Sequence, residues 1–153
     1  MTEEQEFKAS EIRIIVDEHI PQDQLLRLYE SVGWFAYTTG KRRSELATAI
    51  RKSSYVVAAW QENRLIGLAR CLSDDSSIFY LQDILVDPEF QRCGVGRRLF
   101  EACIHRYEHV RTKVLMTDDE ERQRQFYQAM GFTNTKDLAS QTLNVYVDIE
   151  GVE

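Results

Sequence analysis

The hydrophobic segment Ser77–Val86 (SIFYLQDILV) constrains the fold of this chain most, because a proline and then a glycine-containing turn follow it. Its length and composition are typical of a central strand that is buried on both faces for much of its length. Pro88 ends the strand, since proline cannot donate to a ladder. Apolar residues then recur at helical spacing from about Gly94 to Val110. The sequence therefore predicts a strand, a turn and a helix at the centre of the fold.

Segments of extended and of helical periodicity surround this central unit. Pro21 opens the first predicted helix, in a first-turn position that proline tolerates. The order of elements indicates a mixed α/β sheet with helices on both sides. The other predicted helices are one with Ser44 as its N-cap and one that starts among the acids Asp118–Glu121 and is ended by Gly131. The other predicted strands are Glu11–Val16, Tyr55–Gln61 and Arg64–Leu72, of which the last two are joined by Glu62–Asn63. A short buried strand is predicted at Thr112–Thr117 and a half-buried strand at Leu143–Ile149.

Length and charge narrow the classes of protein. A chain of 153 residues fits one domain, predicted here to span residues 1–153. Its charged content of 29% and the lack of an apolar segment near ~20 residues argue against a membrane protein. The acidic, polar start Met1–Lys8 lacks the layout of a signal peptide, which predicts a cytoplasmic protein. A net charge of -6 argues against nucleic acid as the main partner, since phosphate binding needs a basic surface.

Cysteines and histidines indicate neither a disulfide framework nor a metal site. Cys71, Cys93 and Cys103 are too few and too irregularly spaced for a framework, and no CxxC occurs. His105 and His109 lie four apart on the predicted helix and could share a metal, but no cysteine or carboxylate of suitable spacing supports one. Two solvated histidines near a helix C-terminus, where positive charge is favourable, are the preferred interpretation. We therefore predict no metal.

The segment Gln91–Arg98 (QRCGVGRR) carries the strongest functional signal, because it joins the central strand to a helix. Glycines let the backbone approach a ligand closely, and the unpaired N–H groups of a first helical turn favour an anion such as pyrophosphate. Arg92, Arg97 and Arg98 add positive charge. The dinucleotide fingerprint GxGxxG fails at Leu99, and no Gly-Lys-Ser/Thr of a P-loop follows. On these letters alone, a purely structural glycine turn stays possible.

Two motifs resemble those of a known family. The segment Ile84–Leu99 (ILVDPEFQRCGVGRRL) resembles the core motif of the GNAT (GCN5-related) N-acetyltransferase superfamily, with Gln91, Gly94 and Gly96 at its fixed positions. The segment Phe126–Phe132 (FYQAMGF) resembles the family's FY-x-x-x-GF signature, in the expected order. The resemblance implies a mostly antiparallel central sheet flanked by helices and splayed at the coenzyme site, with acetyl-CoA as the cosubstrate.

The resemblance also implies roles for individual residues. Backbone amides from Arg92 to Arg97 would cradle the pyrophosphate, and a backbone N–H of the preceding strand would polarise the thioester carbonyl. Tyr127 would donate a proton to the leaving thiolate, although a tyrosine on an amphipathic helix is the structural alternative. The coenzyme-binding residues predicted in this way are Ile84, Leu85, Val86, Gln91, Arg92, Cys93, Gly94, Val95, Gly96 and Arg97.

The acceptor amine calls for a base. An alkylammonium with a pKa near 10.4 is only about one part in 2,500 neutral at pH 7, a deficit of roughly 4.6 kcal/mol. Family members often use a carboxylate on the long strand, which implies Asp83 or, as the weaker candidate, Asp87. Asp83 could instead be a solvated or hydrogen-bonded strand residue.

The acceptor itself stays open at the level of sequence. Trp34, Phe35, Tyr37 and Tyr146 could line its pocket, which favours an amphipathic or aryl-bearing amine, whereas Asp83, Asp118 and Asp119 favour a polycation. The leading hypothesis is an N-acetyltransferase that acts on a small-molecule amine by direct attack in a ternary complex. The alternatives are a protein or peptide N-acetyltransferase and a non-catalytic acyl-CoA-binding module. A homodimer is possible.

Overall fold

The computed structural model describes residues 2–16, 19–140 and 143–152, and of residues 7–10 only the backbone. The chain divides into two compact units, Met1–Met116 and Thr117–Glu153. Among these described residues, the first unit holds a sheet and four α-helices, and the second holds one α-helix, a 3-10 turn and irregular segments.

The first unit is built on a five-stranded sheet with the order β1-β2-β3-β4-β5. Neighbouring strands are antiparallel from β1 to β4, and only β4 and β5 pair in parallel. This confirms the mixed, mostly antiparallel sheet that the sequence predicted. The strands are β1 Ile12–Val16, β2 Tyr55–Gln61, β3 Arg64–Ser73, β4 Ile78–Val86 and β5 Thr112–Leu115.

Helices cover both faces of this sheet. Those of the first unit are α1 Glu3–Ser10, α2 Gln22–Ser31, α3 Arg42–Lys52 and α4 Val95–Arg106, and the second unit contains α5 Glu121–Ala129. One face of the sheet packs Val56, Leu68 and Leu85 against Leu28 of α2 and Ile50 of α3. These side chains are at most 4% exposed, so their burial contributes to the apolar stabilisation of the first unit.

Helix α4 covers the other face and approaches the sheet closely at Gly67. A Cβ atom at that position would lie 3.1 Å from Leu99 Cδ1 and 3.2 Å from Val95 Cγ1. Any larger residue would therefore push the first turns of α4 away from β3. Gly67 thus sets the height of the α4 N-terminus above the sheet.

A β-bulge in β4 changes which face its side chains occupy. Arg70 pairs with Asp83 and Cys71 pairs with Leu81, so Gln82 has no partner on β3. Phe79 lies before the bulge and packs against Tyr107, on the α4 face of the sheet, with ring centroids 5.3 Å apart. Leu85 lies after the bulge and belongs to the core on the α2 face. Regular alternation would put both odd-numbered residues on one face, and the extra residue reverses the phase.

Some details of the sequence prediction were wrong in the first unit. Strand β4 is not buried on both faces, because its side chains alternate between buried and half-buried after an exposed Ile78. Ser44 is not an N-cap: α3 starts at Arg42, and the Ser44 hydroxyl donates to the carbonyl of Lys41 at 3.0 Å. Strand β5 is not buried either, since its residues alternate between exposed and half-buried.

In the second unit the end of α5 is confirmed. Gly131 has φ +89°, the Gly131 N–H bonds to the Gln128 carbonyl, and the Phe132 N–H bonds to the Tyr127 carbonyl. These two bonds form a Schellman motif, which needs the left-handed conformation that glycine adopts without strain. Of the four predicted first-turn acids, only Glu121 lies within the helix.

The predicted strand at Leu143–Ile149 was wrong. These residues adopt no strand, and Leu143, Val145, Val147 and Ile149 are exposed, with Tyr146 at 91%. Alternating side chains indicate which face a strand would bury, but a strand also needs a ladder partner. None of the described residues pairs with this segment.

Candidate active site

The second half of β4 lies at an opening in the sheet. Strand β5 pairs with β4 only at Ile78–Leu81, so on that edge Gln82–Val86 has no ladder partner among the described residues. The opening begins at the bulge residue Gln82, where the twist of a strand increases. Unpaired backbone N–H and C=O groups on such an edge can bond an extended ligand.

A tight turn connects this open strand to α4. Asp87 caps the 3-10 turn Pro88–Phe90, because its carboxylate accepts the Glu89 N–H at 3.0 Å. The Asp87 N–H bonds to the Ile66 carbonyl at 2.8 Å, and the Gln91 side-chain amide donates to the Val86 carbonyl at 3.1 Å. These bonds hold the strand end and the helix start in one arrangement.

The turn then delivers an open helix N-terminus. Arg92 has φ +64° and Gly94 has φ +78°, so the backbone twice adopts the left-handed region before α4 begins. Gly94 occupies the N-cap position, and no side chain caps the helix there. The first N–H groups of α4 therefore carry the partial positive charge of the helix dipole without a capping side chain, which is an arrangement that suits a phosphate.

Burial separates the anchoring residues of this turn from the accessible ones. Cys93 and Val95 are 4% and 1% exposed, while Arg92 and Gly94 are exposed. A Cβ atom added to Gly96 would meet only Val86 Cγ2, at 3.7 Å, within the described structure. Alternate residues thus hold the turn in the core, and the space above Gly96 stays open for a ligand.

The three arginines around the turn have different surroundings. Arg97 pairs with Glu101 at 2.8 Å on the exposed face of α4, and Arg98 donates to the Ile12 carbonyl at 3.3 Å. Arg92 is exposed, and its side chain has no ion-pair partner in the described part of the chain. Arg92 is therefore the arginine of this segment that is best placed to offer its charge to an anion.

Asp83 is buried in a polar network rather than solvated. Its carboxylate is 3% exposed and accepts from Arg70 Nε at 2.6 Å, the Tyr29 hydroxyl at 2.9 Å and the Tyr37 hydroxyl at 3.3 Å. Arg70 is itself 7% exposed, so the charges of this pair compensate each other inside the fold. The bulge at Gln82 turns Asp83 towards α2, where these partners lie.

The tyrosines of this network are held in the protonated form. Burial, with Asp83 as the second cause, raises the pKa of Tyr29 well above its usual value and raises the pKa of Tyr37 in the same way. Tyr37 is half-buried and also accepts from the Gln82 side-chain amide at 3.3 Å. Its hydroxyl thus bonds both to the buried carboxylate and to the side chain of Gln82, the first residue of the open edge.

Arg70, Tyr29 and Gln82 did not emerge from the sequence as site residues. One signal was available: Arg70 is the only charged residue in the interior of the apolar segment Arg64–Leu72 (RLIGLARCL), and a buried charge needs a partner. The sequence could not identify that partner, because the bulge that brings Asp83 opposite Arg70 has no local signature.

The weaker base candidate, Asp87, has a structural role. Its carboxylate is 4% exposed, caps the following turn and pairs with Arg64 at 2.9 Å. Both carboxylate oxygens are thus engaged, one by the Glu89 N–H in the turn and the other by Arg64 of β3.

The proposed acid, Tyr127, belongs to the second unit. It lies on α5, and its ring packs edge-to-face on Phe126 with centroids 5.1 Å apart. Burial raises the pKa of Tyr127 to about 12. The phenol therefore stays protonated over the whole physiological pH range.

The aromatic residues predicted to line the acceptor pocket have different positions. Trp34 and Tyr37 are half-buried and pack around Tyr29, with ring centroids 5.8 Å and 5.3 Å from it. Phe35 is 57% exposed, and Tyr146 lies exposed in the second unit. Within the first unit, only Trp34 and Tyr37 of this set adjoin the Asp83 network.

His105 and His109 lie at the end of α4 and beyond it. His109 Nε2 lies 2.9 Å from the Asp75 carboxylate, and His105 Nδ1 lies 3.8 Å from that of Glu108. No group of three or more potential ligand side chains that could hold a metal ion occurs among the described residues. Nor does any described helix have the length and apolar character needed to cross a bilayer.

Comparison with known proteins identifies a family model that spans residues of both units, and several related proteins. Residues 29–144 match the family model of an acetyltransferase (GNAT) domain. "Uncharacterized N-acetyltransferase ycf52" of Porphyra purpurea is 27% identical over 118 residues, which cover 74% of this chain and 66% of that protein. "Histone acetyltransferase TAP1" of Glycine max is 36% identical over 92 residues, or 52% of this chain and 38% of that protein. The chain spans 66% and 62% of the length of the first curated relatives it matches.

Solved structures share the fold. A GNAT family acetyltransferase, SP0256 from Streptococcus pneumoniae TIGR4, has a TM-score of 0.77 at 26% identity and covers 92% of this chain and 99% of that chain. AAC(6')-Iy in complex with the bisubstrate analogue CoA-S-monomethyl-acetylneamine has a TM-score of 0.67 at 18% identity, with coverages of 90% and 98%. At that identity the second likeness shows the fold alone.

Proposed function

Because the chain belongs to the GNAT acetyltransferase family, we propose that it is an acetyl-CoA-dependent N-acyltransferase that moves an acetyl group to a primary amine. One observation carries this proposal: the uncapped N-terminus of α4, preceded by the left-handed residues Arg92 and Gly94, adjoins an open strand edge. A helix terminus of this kind suits a pyrophosphate, and an open edge suits an extended amide-containing arm. AAC(6')-Iy, a protein of similar fold, is in complex with a bisubstrate analogue that contains CoA. We further propose that residues 1–153 act as one domain, since the family match spans both units.

The residues of the turn would bind the coenzyme in different ways. The backbone N–H groups of Arg92, Cys93, Gly94, Val95, Gly96 and Arg97 would bond the pyrophosphate, and the Arg92 side chain would add a positive charge. Gln91 would act indirectly, since its side-chain amide is used to hold the carbonyl of Val86. The backbone of Ile84, Leu85 and Val86 would pair with the pantetheine arm along the open edge of β4.

Acetyl-CoA supplies the acetyl group as a thioester, and the protein supplies the environment for direct attack by the amine. A backbone N–H on the open edge of β4 would stabilise the oxyanion that forms at the carbonyl. Tyr127 would assist departure of the thiolate by donating a hydrogen bond. Its raised pKa of about 12 keeps the phenol protonated, so its hydroxyl can donate to the sulfur as the thiolate leaves. We therefore assign Tyr127 as a hydrogen-bond donor to the developing thiolate.

Asp83 is the proposed base, and it would act through Tyr37. The carboxylate is 3% exposed, whereas the hydroxyl of the half-buried Tyr37 bonds to it at 3.3 Å and also accepts from the side-chain amide of Gln82, the first residue of the open edge. A proton taken up by the Tyr37 oxygen can be matched by one passed to Asp83. Because Arg70 already compensates the charge of Asp83, deprotonation by ordered water at backbone carbonyls is the alternative.

The acceptor is proposed to be a small-molecule amine, with aromatic character favoured by Trp34 and Tyr37 beside the network. Acetylation of a basic protein or peptide is the second candidate. Two observations favour it: the net charge of -6 and the similarity to a protein named histone acetyltransferase. The cytoplasmic location and the possible homodimer stay predictions.

An amine panel tests the enzymatic proposal. The protein is incubated with acetyl-CoA and alkylamines, arylalkylamines, polyamines or a lysine-rich peptide, and free CoA thiol is measured. We expect thiol release that depends on one acceptor class. Tight binding of acetyl-CoA without acceptor-dependent release would instead identify a non-catalytic acyl-CoA-binding module.

A further inference from the structure

The turn that precedes the open helix N-terminus carries two acidic side chains. Asp87 and Glu89 both lie within the segment that leads from β4 to α4. Carboxylates so near a site for pyrophosphate oppose the binding of that anion, since repulsion between charges is only partly screened within about 8–10 Å. Their charge therefore has to be compensated from elsewhere in the fold.

Arg64, the first residue of β3, provides part of that compensation, with one positive charge against two carboxylates. One guanidinium nitrogen lies 2.9 Å from Asp87 Oδ2, and another lies 3.1 Å from Glu89 Oε2. The guanidinium carbon also lies 5.4 Å from the centre of the Phe90 ring. A single side chain from a neighbouring strand thus contacts three residues around the 3-10 turn Pro88–Phe90.

The contact with Asp87 has the greatest structural consequence. The Asp87 carboxylate is 4% exposed, and its other oxygen accepts the Glu89 N–H that starts the turn. Without Arg64, this carboxylate would be a buried charge without its cation, which is strongly unfavourable. Rotation of Asp87 towards solvent would hydrate the carboxylate but would break its hydrogen bond to the Glu89 N–H. Gln91 and Arg92 come directly after this turn in the sequence, so the start of the coenzyme cradle would lose its support.

We propose that Arg64 is a positioning residue for the coenzyme cradle, holding the Asp87–Phe90 turn in place and offsetting part of the negative charge of its acids so that the α4 N-terminus can accept a pyrophosphate. This inference rests on the proposed coenzyme site. It assigns no contact between Arg64 and the coenzyme or the acceptor. Loss of Arg64 should therefore weaken acetyl-CoA binding while the reaction of bound substrates stays nearly unchanged.

The experiment compares Arg64→Gln with Arg106→Gln as its matched control. Arg106 also pairs with a carboxylate, that of Asp75 at 3.1 Å, and lies over an aromatic ring, that of Tyr107 at 4.8 Å. It differs in lying at the opposite end of α4. We measure the Kd for acetyl-CoA by calorimetry, KM and kcat separately, and amide hydrogen exchange of residues 87–98 without ligand.

We expect Arg64→Gln to raise the Kd and KM for acetyl-CoA about tenfold, with kcat at saturation within about twofold, and to accelerate exchange in residues 87–98. Arg64→Lys should restore part of the affinity, because it keeps the charge but loses the guanidinium fork that bonds Asp87 and Glu89 with separate nitrogens. Arg106→Gln should match the wild type in all three measurements.

The inference is overturned if Arg64→Gln binds acetyl-CoA as tightly as Arg106→Gln, or if kcat alone falls. If Arg64→Gln does not fold, Arg64→Lys decides: weaker binding supports the inference, and unchanged binding overturns it. A wild-type protein that fails to bind acetyl-CoA refutes the proposed function instead. In that case unchanged exchange of residues 87–98 in Arg64→Gln overturns the positioning role as well.

Discussion

Replacement of Asp83 by asparagine tests whether its burial is as consequential as the structure indicates. The amide keeps the shape of the side chain but removes the charge, and one of its two ends becomes a donor. Arg70, at 7% exposed and 2.6 Å from the carboxylate, then lacks an anion inside the fold. The Tyr29 hydroxyl and Arg70 Nε already share one carboxylate oxygen, which the amide oxygen can replace, but the amide nitrogen then lies where the Tyr37 hydroxyl donates at 3.3 Å.

The expected loss of stability is large for one substitution. Removal of one partner of a buried ion pair costs about 3–5 kcal/mol. In a protein of this size each kcal/mol lowers the melting temperature by roughly 2–4 °C, so even a loss of about 3 kcal/mol should lower it by roughly 6–12 °C. A solvated carboxylate on a strand, the alternative left open by the sequence, would give almost no change.

The assay is thermal and urea unfolding of the wild type, Asp83→Asn, Arg70→Met and the double variant. Asp119→Asn serves as the matched control: it breaks an ion pair of similar length, 2.7 Å to Arg124, but its carboxylate is 68% exposed. That exposed pair should contribute at most about 1 kcal/mol. In the double variant the losses should not add, because both substitutions remove the same interaction. An Asp83→Asn protein that melts within about 1 °C of the wild type, or that behaves like Asp119→Asn, would refute the reasoning.

Three further outcomes are expected. Gly96→Glu should leave the protein folded, because the new Cβ makes only an ordinary 3.7 Å contact with Val86, and should abolish acetyl-CoA binding, because the new carboxylate occupies the helix N-terminus. Normal acetyl-CoA affinity together with an unchanged circular dichroism spectrum would show that the turn is purely structural. Tyr127→Phe should lower kcat roughly ten- to a thousandfold with little change in acetyl-CoA affinity. Because the pKa of Tyr127 is about 12, the ratio of the variant kcat to the wild-type kcat should stay constant from pH 7 to 10. Full activity of the variant when chemistry is rate-limiting would exclude Tyr127 as the donor to the thiolate. In Asp83→Asn, provided that it folds, the rise of kcat/KM with pH should shift or flatten, and an unchanged profile would point to ordered water as the base.

Local sequence signals predicted the elements that depend on neighbours along the chain. Pro21 precedes α2, Gly131 ends α5 with a left-handed residue, and β2 was predicted at its exact bounds. The left-handed turn before α4 was also readable, because glycines next to the start of a helix are a local feature. Each of these features is decided by backbone conformation and side-chain periodicity within a few residues.

Contacts between distant residues decided what the sequence could not. The segment Leu143–Ile149 alternates as a strand does, yet it forms none, since a ladder needs a partner that alternation does not identify. The bulge at Gln82 appears only when β3 and β4 are paired, and it reverses the phase of β4. That reversal places Asp83 beside Arg70 and Tyr29 under α2.

The sequence by itself thus determined the family, the order of most elements and the open helix terminus after Gly94, because these rest on local patterns of residues. Only the tertiary structure decided that Asp83 is a buried, paired carboxylate and that Arg64 holds the turn before α4. The physical reason is the same in both cases: the partner of a buried charge is chosen by strand register and packing, which bring together residues that are far apart in the chain.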